Sequence, residues 1–304
     1  MATLMRIMTN YLQVVSTVLA FDANFPDTVN EVFSPANMIG SSSESFVSLD
    51  CFIQGSEMNA FAPNATLFKI FLIALLPLIL IMLYSVMWMI MHLVLRKYFK
   101  DIKRYIIVST IVILFLLHPA LTRTGLSLFQ WVKVGDNDFR VRVDINMKCY
   151  SDEHIKWCAL LGTTMVLVWG IGIPIFALVI MVRLRKILDT WNVQKYLLML
   201  YQGLKLNRYY WELVNTVRKC LLLWLPVFLS TSSLNYKVLG ATIIMMTTLK
   251  LQQVLKPYSL WSMNKLEFHE IVTGSFTIFA SIIFDDDEDK VPTIDFLVFI
   301  AGMD

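Results

Sequence analysis

The stretch Ile70–Leu95, IFLIALLPLILIMLYSVMWMIMHLVL, runs for 26 residues without an Asp, Glu, Lys or Arg. A bilayer core about 30 Å thick is crossed by about 20 apolar residues in a helix rising about 1.5 Å per residue, so this segment is long enough to span with tilt to spare. No soluble domain requires such a run, and the rest of the chain is therefore read with lipid as a solvent.

Working outward, two further runs meet the same test: Tyr105–Thr122 for 18 residues and Trp157–Val182 for 26. Four weaker ones follow: Thr3–Phe21, Cys220–Tyr236, Val238–Leu255 and Phe268–Phe284. The first of these carries Arg6, Asn10 and Gln13, so an amphipathic interfacial helix competes with a span there. A last apolar stretch, Ile294–Met303, has about half the length a crossing needs and reads as the start of another helix, so the chain is expected to be a piece of a longer protein. The expected fold is an all-α polytopic bundle of about seven spans plus the start of another, across residues 1–304.

Composition agrees. Of 304 residues, 57% are hydrophobic and only 16% charged, with a mean hydropathy of +0.63. A soluble surface needs charge at roughly 25% of positions, which excludes a water-soluble enzyme. The net charge of +3 is not gathered into a basic, aromatic-interleaved stripe, so nucleic acid is not an expected partner.

Orientation follows from the loops. Arg96–Arg104 carries five basic residues against one Asp, and Arg183–Lys219 carries eight against two acids, which places both in the cytoplasm, with residues 183–212 as a linker. Residues 21–66 hold six acids in Phe21–Thr66 and no Lys or Arg, and form an exterior loop. A second exterior loop, residues 123–156, contains Phe139, Val141, Val143, Ile145 and Met147 alternating with polar residues, the period of a half-buried strand or hairpin, with Gly135-Asp136 near its turn. Cys51 and Cys149 are the cysteines of these two loops, and an oxidising exterior lets them pair, the competing reading being two unpaired thiols. Cys158 and Cys220 read as apolar fillers.

The run Tyr196–Leu229, with Tyr201, Tyr209-Tyr210-Trp211-Glu212 and Arg218-Lys219 before Leu221-Leu222-Leu223, resembles the C-terminal membrane domain of large protist surface proteins. So do Gln252-Gln253, Lys256-Pro257-Tyr258 and Asn264-Lys265-Leu266-Glu267, and upstream Asn10-Tyr11-Leu12-Gln13, Phe25-Pro26 and Asp50-Cys51. That domain is similar to the transient receptor potential-like (TRP-like) domain of polycystins and fungal flavin-carrier proteins. The resemblance implies a plasma or ciliary membrane location, possible homo-oligomers, and cation permeation or sensing; the alternative is a non-conducting anchor and signalling module for a large adhesion or receptor region. It implies no catalytic residue and no cofactor.

Several constellations are candidates for function. Tyr209, Tyr210 and Trp211 suit headgroup depth, where Arg218 and Lys219 can snorkel, and with Glu212 they form an interface or gate-coupling segment. Pro257 ends one helix, and Asn264 with Glu267 has capping-box spacing for the next. Gly170, Gly172 and Pro174 interrupt a span and serve either as a hinge or as a tight packing face. Lys250 and Glu270 each lie ten residues from the centre of the Pro257 turn and are expected to pair at membrane depth. Asp285, Asp286, Asp287, Glu288 and Asp289 form an outer acidic cluster, either a cation-attracting mouth or a solvated turn. His118 is a structural histidine or a proton relay. The four histidines never fall at ligand spacing, and no phosphate-binding loop or nucleophile elbow is present, so neither a metal site nor hydrolytic chemistry is expected.

Overall fold

The computed structural model describes residues 2–19, 65–96, 101–135, 138–229 and 232–286. Among these residues, eight helices and one small sheet follow in the order α1 (Ala2–Leu19), α2 (Ala65–Val94), α3 (Ile102–Ser127), β1 (Trp131–Gly135), β2 (Asp138–Val141), β3 (Asp144–Lys148), α4 (Asp152–Leu184), α5 (Trp191–Tyr201), α6 (Trp211–Phe228), α7 (Leu234–Leu255) and α8 (Trp261–Asp286). Among the described residues, four helices are long and apolar enough to cross a membrane: Thr66–Val94, Ile102–Ser127, Asp152–Leu184 and Leu234–Leu255. The expected count of about seven is not supported. The other three expected crossings fall in α1, α6 and α8, which carry Arg6, Asn10 and Gln13; Glu212, Arg218 and Lys219; and Lys265, Glu267 and Glu270. The expected run Cys220–Tyr236 is also not one helix, because α6 ends at Phe228, just past Pro226, and α7 begins at Leu234 after a Ser- and Thr-rich stretch.

The chain divides into two compact units. One comprises residues 1–42, 221–256 and 260–304, and among its described residues α8 packs against both α1 and α7. Buried positions on the three helices recur at three- and four-residue spacing. They are Asn10, Gln13 and Thr17 on α1; Lys237, Ala241, Met245, Thr248 and Gln252 on α7; and Glu267, Glu270, Gly274, Thr277 and Ser281 on α8. That repeat keeps one stripe of each helix facing its neighbours. Apolar contacts from Val14, Val238, Met245, Ile271 and Ile278 hold the stripes together. Gly274 permits the closest approach, since a Cβ there would lie 3.0 Å from Met245 Cε and 3.6 Å from Val14 Cγ1.

The other unit comprises residues 43–220 and 257–259. Here α2 packs on α3, and α3 on α4 and α5. Trp88 of α2 stacks on Tyr105 of α3 with ring centroids 4.8 Å apart, and its indole N–H donates to Ser109 Oγ at 2.9 Å. Residues Leu78, Met82, Leu83, Met87, Ile90, Leu93 and Val94 leave one side of α2 exposed and apolar, as a lipid-facing helix requires. Pro257–Ser259 pair with Gly203–Lys205 through Lys205 N–H to Pro257 O at 2.8 Å and Ser259 N–H to Gly203 O at 3.0 Å.

The sheet is an antiparallel three-stranded meander, β1-β2-β3. β1 and β2 pair antiparallel as the arms of the expected hairpin, with Gly135 opposite Asp138; Asp136 lies outside the described residues. The long alternating run is not one strand, because the chain turns at Arg142-Val143 and starts β3 at Asp144. Val141 and Met147 reach the apolar core with Leu121, Leu128 and Leu161, whereas Val143 and Ile145 are 38% and 59% exposed. The turn interrupts the alternation, so that Val143 and Ile145 leave the core face while Met147 returns to it. Asn264 is likewise not a cap: Lys256 adopts a left-handed φ of 41° before Pro257, and α8 is under way by Trp261, so Asn264 lies inside its first turn.

Candidate functional site

Glu267 and Glu270 sit three residues apart on α8, so both fall on its buried stripe, at 1% and 7% exposure. Asn10, Gln13, Ser16 and Thr17 supply the buried polar side of α1. A carboxylate removed from water is tolerated only with partners, and Glu267, Glu270, Asn10 and Gln13 all engage one. A groove of about 350 Å³ runs beside this seam, lined by Ile7, Met8, Tyr11 and Leu12 of α1 and by Leu266, His269, Glu270 and Thr273 of α8. Ile7 and Glu270 form its floor, while Met8, His269 and Thr273 are exposed at its mouth.

Lys250 does not join this site. It lies on the exposed side of α7, whereas Glu270 faces inward, and among the described residues the two form no ion pair. Equal sequence distance from the Pro257 turn matches depth but not facing, and facing depends on where each helix starts. The expected pair is therefore not brought together.

The break at Gly170, Gly172 and Pro174 is a defined distortion. Two turns of α4, Cys158–Gly162 and Met165–Gly172, are π-helical, and the helix resumes α-geometry at Ile173. Pro174 has no N–H to offer the Gly170 carbonyl four residues back. His118 of α3, itself buried, stands in: its Nε2 lies 3.0 Å from Gly170 O. A carbonyl can only accept, so Nε2 carries the proton. The small residue permits the approach, since a Cβ at Gly170 would sit 3.4 Å from Thr122 Oγ1. Cys220 Sγ lies 4.0 Å from the same carbonyl. The sequence motif marked the distortion, but nothing in it identified His118 as the partner.

A second histidine joins three elements. Tyr150, in the left-handed region at φ 62°, donates its N–H to His154 Nδ1 at 3.2 Å, and His154 Nε2 donates to Leu128 O at 3.1 Å. Ser151 caps the helix by accepting from His154 N–H at 3.2 Å. Cys158 Sγ lies 3.2 Å from the same Nε2 and donates to Leu128 O at 3.4 Å, so this thiol is part of a polar knot rather than plain filler. Cys149 is a half-buried free thiol whose acidity is weakened by burial; its expected partner Cys51 lies outside the described residues. On the meander, Arg140 Nε donates to both Asp138 oxygens at 2.9 and 3.0 Å and holds that carboxyl below its ordinary range.

In the Tyr209–Lys219 segment the two tyrosines are half-exposed and meet edge to face at 5.7 Å, with Arg208 donating to Tyr210 Oη at 3.1 Å. Trp211, Glu212, Arg218 and Lys219 are buried within the protein instead of lying at its surface, so snorkelling is not what the two cations do. The expected linker, residues 183–212, is ordered: it contains α5, and Tyr201 donates its hydroxyl to Leu188 O at 2.7 Å, burial and nearby Asp189 raising the proton affinity of that phenol. Of the outer acidic cluster, Asp285 and Asp286 end α8, and Asp287, Glu288 and Asp289 lie outside the described residues. Most of residues 21–66, and Ile294–Met303, lie outside them too. Among the described residues no group of His, Cys, Asp or Glu is arranged to hold a metal ion.

No family model matches the chain, and no solved structure does. The chain is similar to cysteine repeat modular protein A of Toxoplasma gondii, at 26% identity over 207 residues, covering 63% of this chain and 6% of that protein. It therefore corresponds to a small part of a far longer relative.

Proposed function

We propose that this chain is a multi-pass membrane domain of TRP-like type, set in a plasma or ciliary membrane, whose function is cation permeation or sensing through the seam between α1 and α8. The observation that carries the reading is the pair of carboxylates, Glu267 and Glu270, buried on α8 of a unit whose α1 presents buried Asn10, Gln13, Ser16 and Thr17. Ionisable groups held inside a bundle at membrane depth are costly, and where they persist they mark ion or proton pathways. Closely spaced oxygens replace part of a cation's hydration shell, and carboxylates favour positive charge over negative. Asp285 and Asp286 end α8 and, with the acids that follow them in sequence to Asp289, would concentrate cations, most effectively at low ionic strength. Association of several copies would multiply that field.

The test is cation flux into liposomes carrying the reconstituted full chain. Replacing Glu267 and Glu270 by Gln should lower flux at least tenfold while leaving the helix content unchanged. Flux unchanged in the double variant would remove the seam from the pathway. No flux from the wild-type chain under voltage, stretch or calcium would favour the second reading, a non-conducting anchor and signalling module. That reading draws support from the similarity to a small part of a much longer protein.

A further inference from the structure

In the unit that contains α2 to α5, the register of the helices gathers charge of one sign at one end. Trp88 donates to Ser109, and Trp88 to Arg96 is the same eight-residue step as Asp101 to Ser109, so Arg96 and the start of α3 lie level. His118 meets Gly170 and Gly125 lies against Met165, so α3 and α4 run antiparallel. Arg104 to His118 and Gly170 to Leu184 are then matching fourteen-residue steps, about 21 Å of helix at about 1.5 Å per residue. Arg96, Lys103, Arg104, Arg183, Arg185 and Lys186 therefore share that end, and all six are exposed. The described acids of the same stretches are Asp101 and Asp189, and none of the six cations forms an ion pair among the described residues.

The chain stays at this end after α4. Six residues on, α5 begins and packs against α3, and the turn between is fastened by the Tyr201 hydroxyl on Leu188 O at 2.7 Å. Leu200 and Tyr201 are buried, whereas Trp191, Lys195 and Leu198 follow four- and three-residue spacing along the opposite, outward stripe. Trp191 is 73% exposed and Leu198 40%. Ile187 before the helix and Leu206 after it are exposed too, beside the exposed Lys205. Outward apolar side chains interleaved with cations suit the boundary of head groups and acyl chains, which takes the rings and branched chains into its apolar edge and the basic groups among its charges. Residues 183–208 hold six basic residues against Asp189, which selects an anionic surface. Continuity decides for lipid over an acidic protein, because α4 is long and apolar enough to cross a membrane and the segment is joined directly to its end.

We propose that residues 183–208 lie in the interface of an anionic leaflet, Trp191 and Leu198 at its apolar edge and Arg183, Arg185, Lys186, Lys195 and Lys205 on the head groups of anionic phospholipids. This rests on the multi-pass membrane reading and not on conduction.

The probes are a phosphatidylserine and a phosphatidylcholine carrying the same diazirine near the top of one acyl chain, each irradiated in equal amount in nanodiscs that hold the full chain and both unlabelled lipids. Peptide mass spectrometry maps the adducts. In residues 183–208 phosphatidylserine should give at least threefold more adducts than phosphatidylcholine at about 0.01 M salt, and the preference should vanish at about 1 M, where the screening length falls from about 30 Å to about 3 Å. Replacing Arg185, Lys186 and Lys205 together by Gln should at least halve the preference while leaving the adducts on the exposed face of α2 unchanged. Equal labelling of the segment by the two lipids at low salt would overturn the proposal, as would a preference untouched by the triple substitution. Adducts on α2 with none in residues 183–208 would place the segment in water, overturn the proposal and favour an acidic protein as the partner. A chain without adducts on α2 as well would overturn the membrane reading itself. The adduct map of the unaltered chain decides whether or not the triple variant folds.

Discussion

Replacing His118 by Ala removes the N–H that reaches the Gly170 carbonyl at 3.0 Å and leaves that oxygen buried in a helix whose Pro174 offers it no amide. A buried acceptor left unpaired costs about 1–3 kcal/mol, and the missing imidazole adds a cavity term of its own. The cavity term would obscure the reading in a single variant, so the informative experiment is a cycle with Pro174→Ala. The second substitution returns an N–H at position 174. In that background His118→Ala should cost about 1 kcal/mol less than in the parent, because the carbonyl now has an alternative donor while the cavity is unchanged. Equilibrium unfolding of the full chain in mixed micelles gives the four stabilities. A coupling below about 0.3–0.5 kcal/mol, the range in which independent sites add, would refute the account of His118 as the partner Pro174 makes necessary. His118→Gln, which keeps a side-chain N–H, should be milder than His118→Ala in the parent background.

Lys250→Met and Glu270→Gln should act additively on stability within about 0.5 kcal/mol, with Glu270→Gln the more damaging, because Lys250 is exposed and Glu270 buried; a larger coupling would restore the expected pair. Single cysteines introduced at Lys100 and Ser42 should react oppositely with an impermeant thiol reagent in intact cells, and equal labelling would end the charge-based topology. Non-reducing peptide mapping should recover Cys149 as the free thiol of the structure, and a peptide joining it to Cys51 would restore the expected disulfide. The Asp138 carboxyl is held below its ordinary value by Arg140, so whatever that pair contributes is present at neutral pH and is lost as pH falls through the lowered value. Protection factors of the β2 amides, which remove the intrinsic pH dependence of exchange, should therefore fall as pH is taken from 6 to below the ordinary carboxylate range, and Asp138→Asn should abolish that fall.

How much could be read in advance depended on what each residue has to satisfy. Ile70–Leu95 was legible because lipid asks only for length and the lack of charge, both local properties, and α2 occupies that stretch. Glu270 was legible as a buried acid but not its surroundings, because hydropathy sums ignore which side of a helix a residue faces. The polar stripes of α1, α7 and α8 follow a three- and four-residue spacing that is present in the sequence, but averaging over a span-length window erases it. The meander shows the opposite difficulty: alternation at Phe139–Met147 continues through a turn, since Arg142 and Val143 keep the polar-apolar order while the backbone reverses. Gly170 and Pro174 announced a distortion, but its partner His118 lies 52 residues away, beyond any local pattern.

The imidazole of His154 has mechanical consequences. Through one planar ring the left-handed turn after β3, the carbonyl at the end of α3 and the first turn of α4 are tied within two hydrogen bonds. A load drawn on the strand end meets no slack, because Tyr150 is already turned into the conformation that aims its amide at the ring. Force therefore passes to two membrane-length helices together, and the smallest length change at Tyr150-Ser151 would disconnect both. Insertions in β1 or in the Arg142-Val143 turn lie before this junction and alter the meander's reach while leaving its grip on the helices intact.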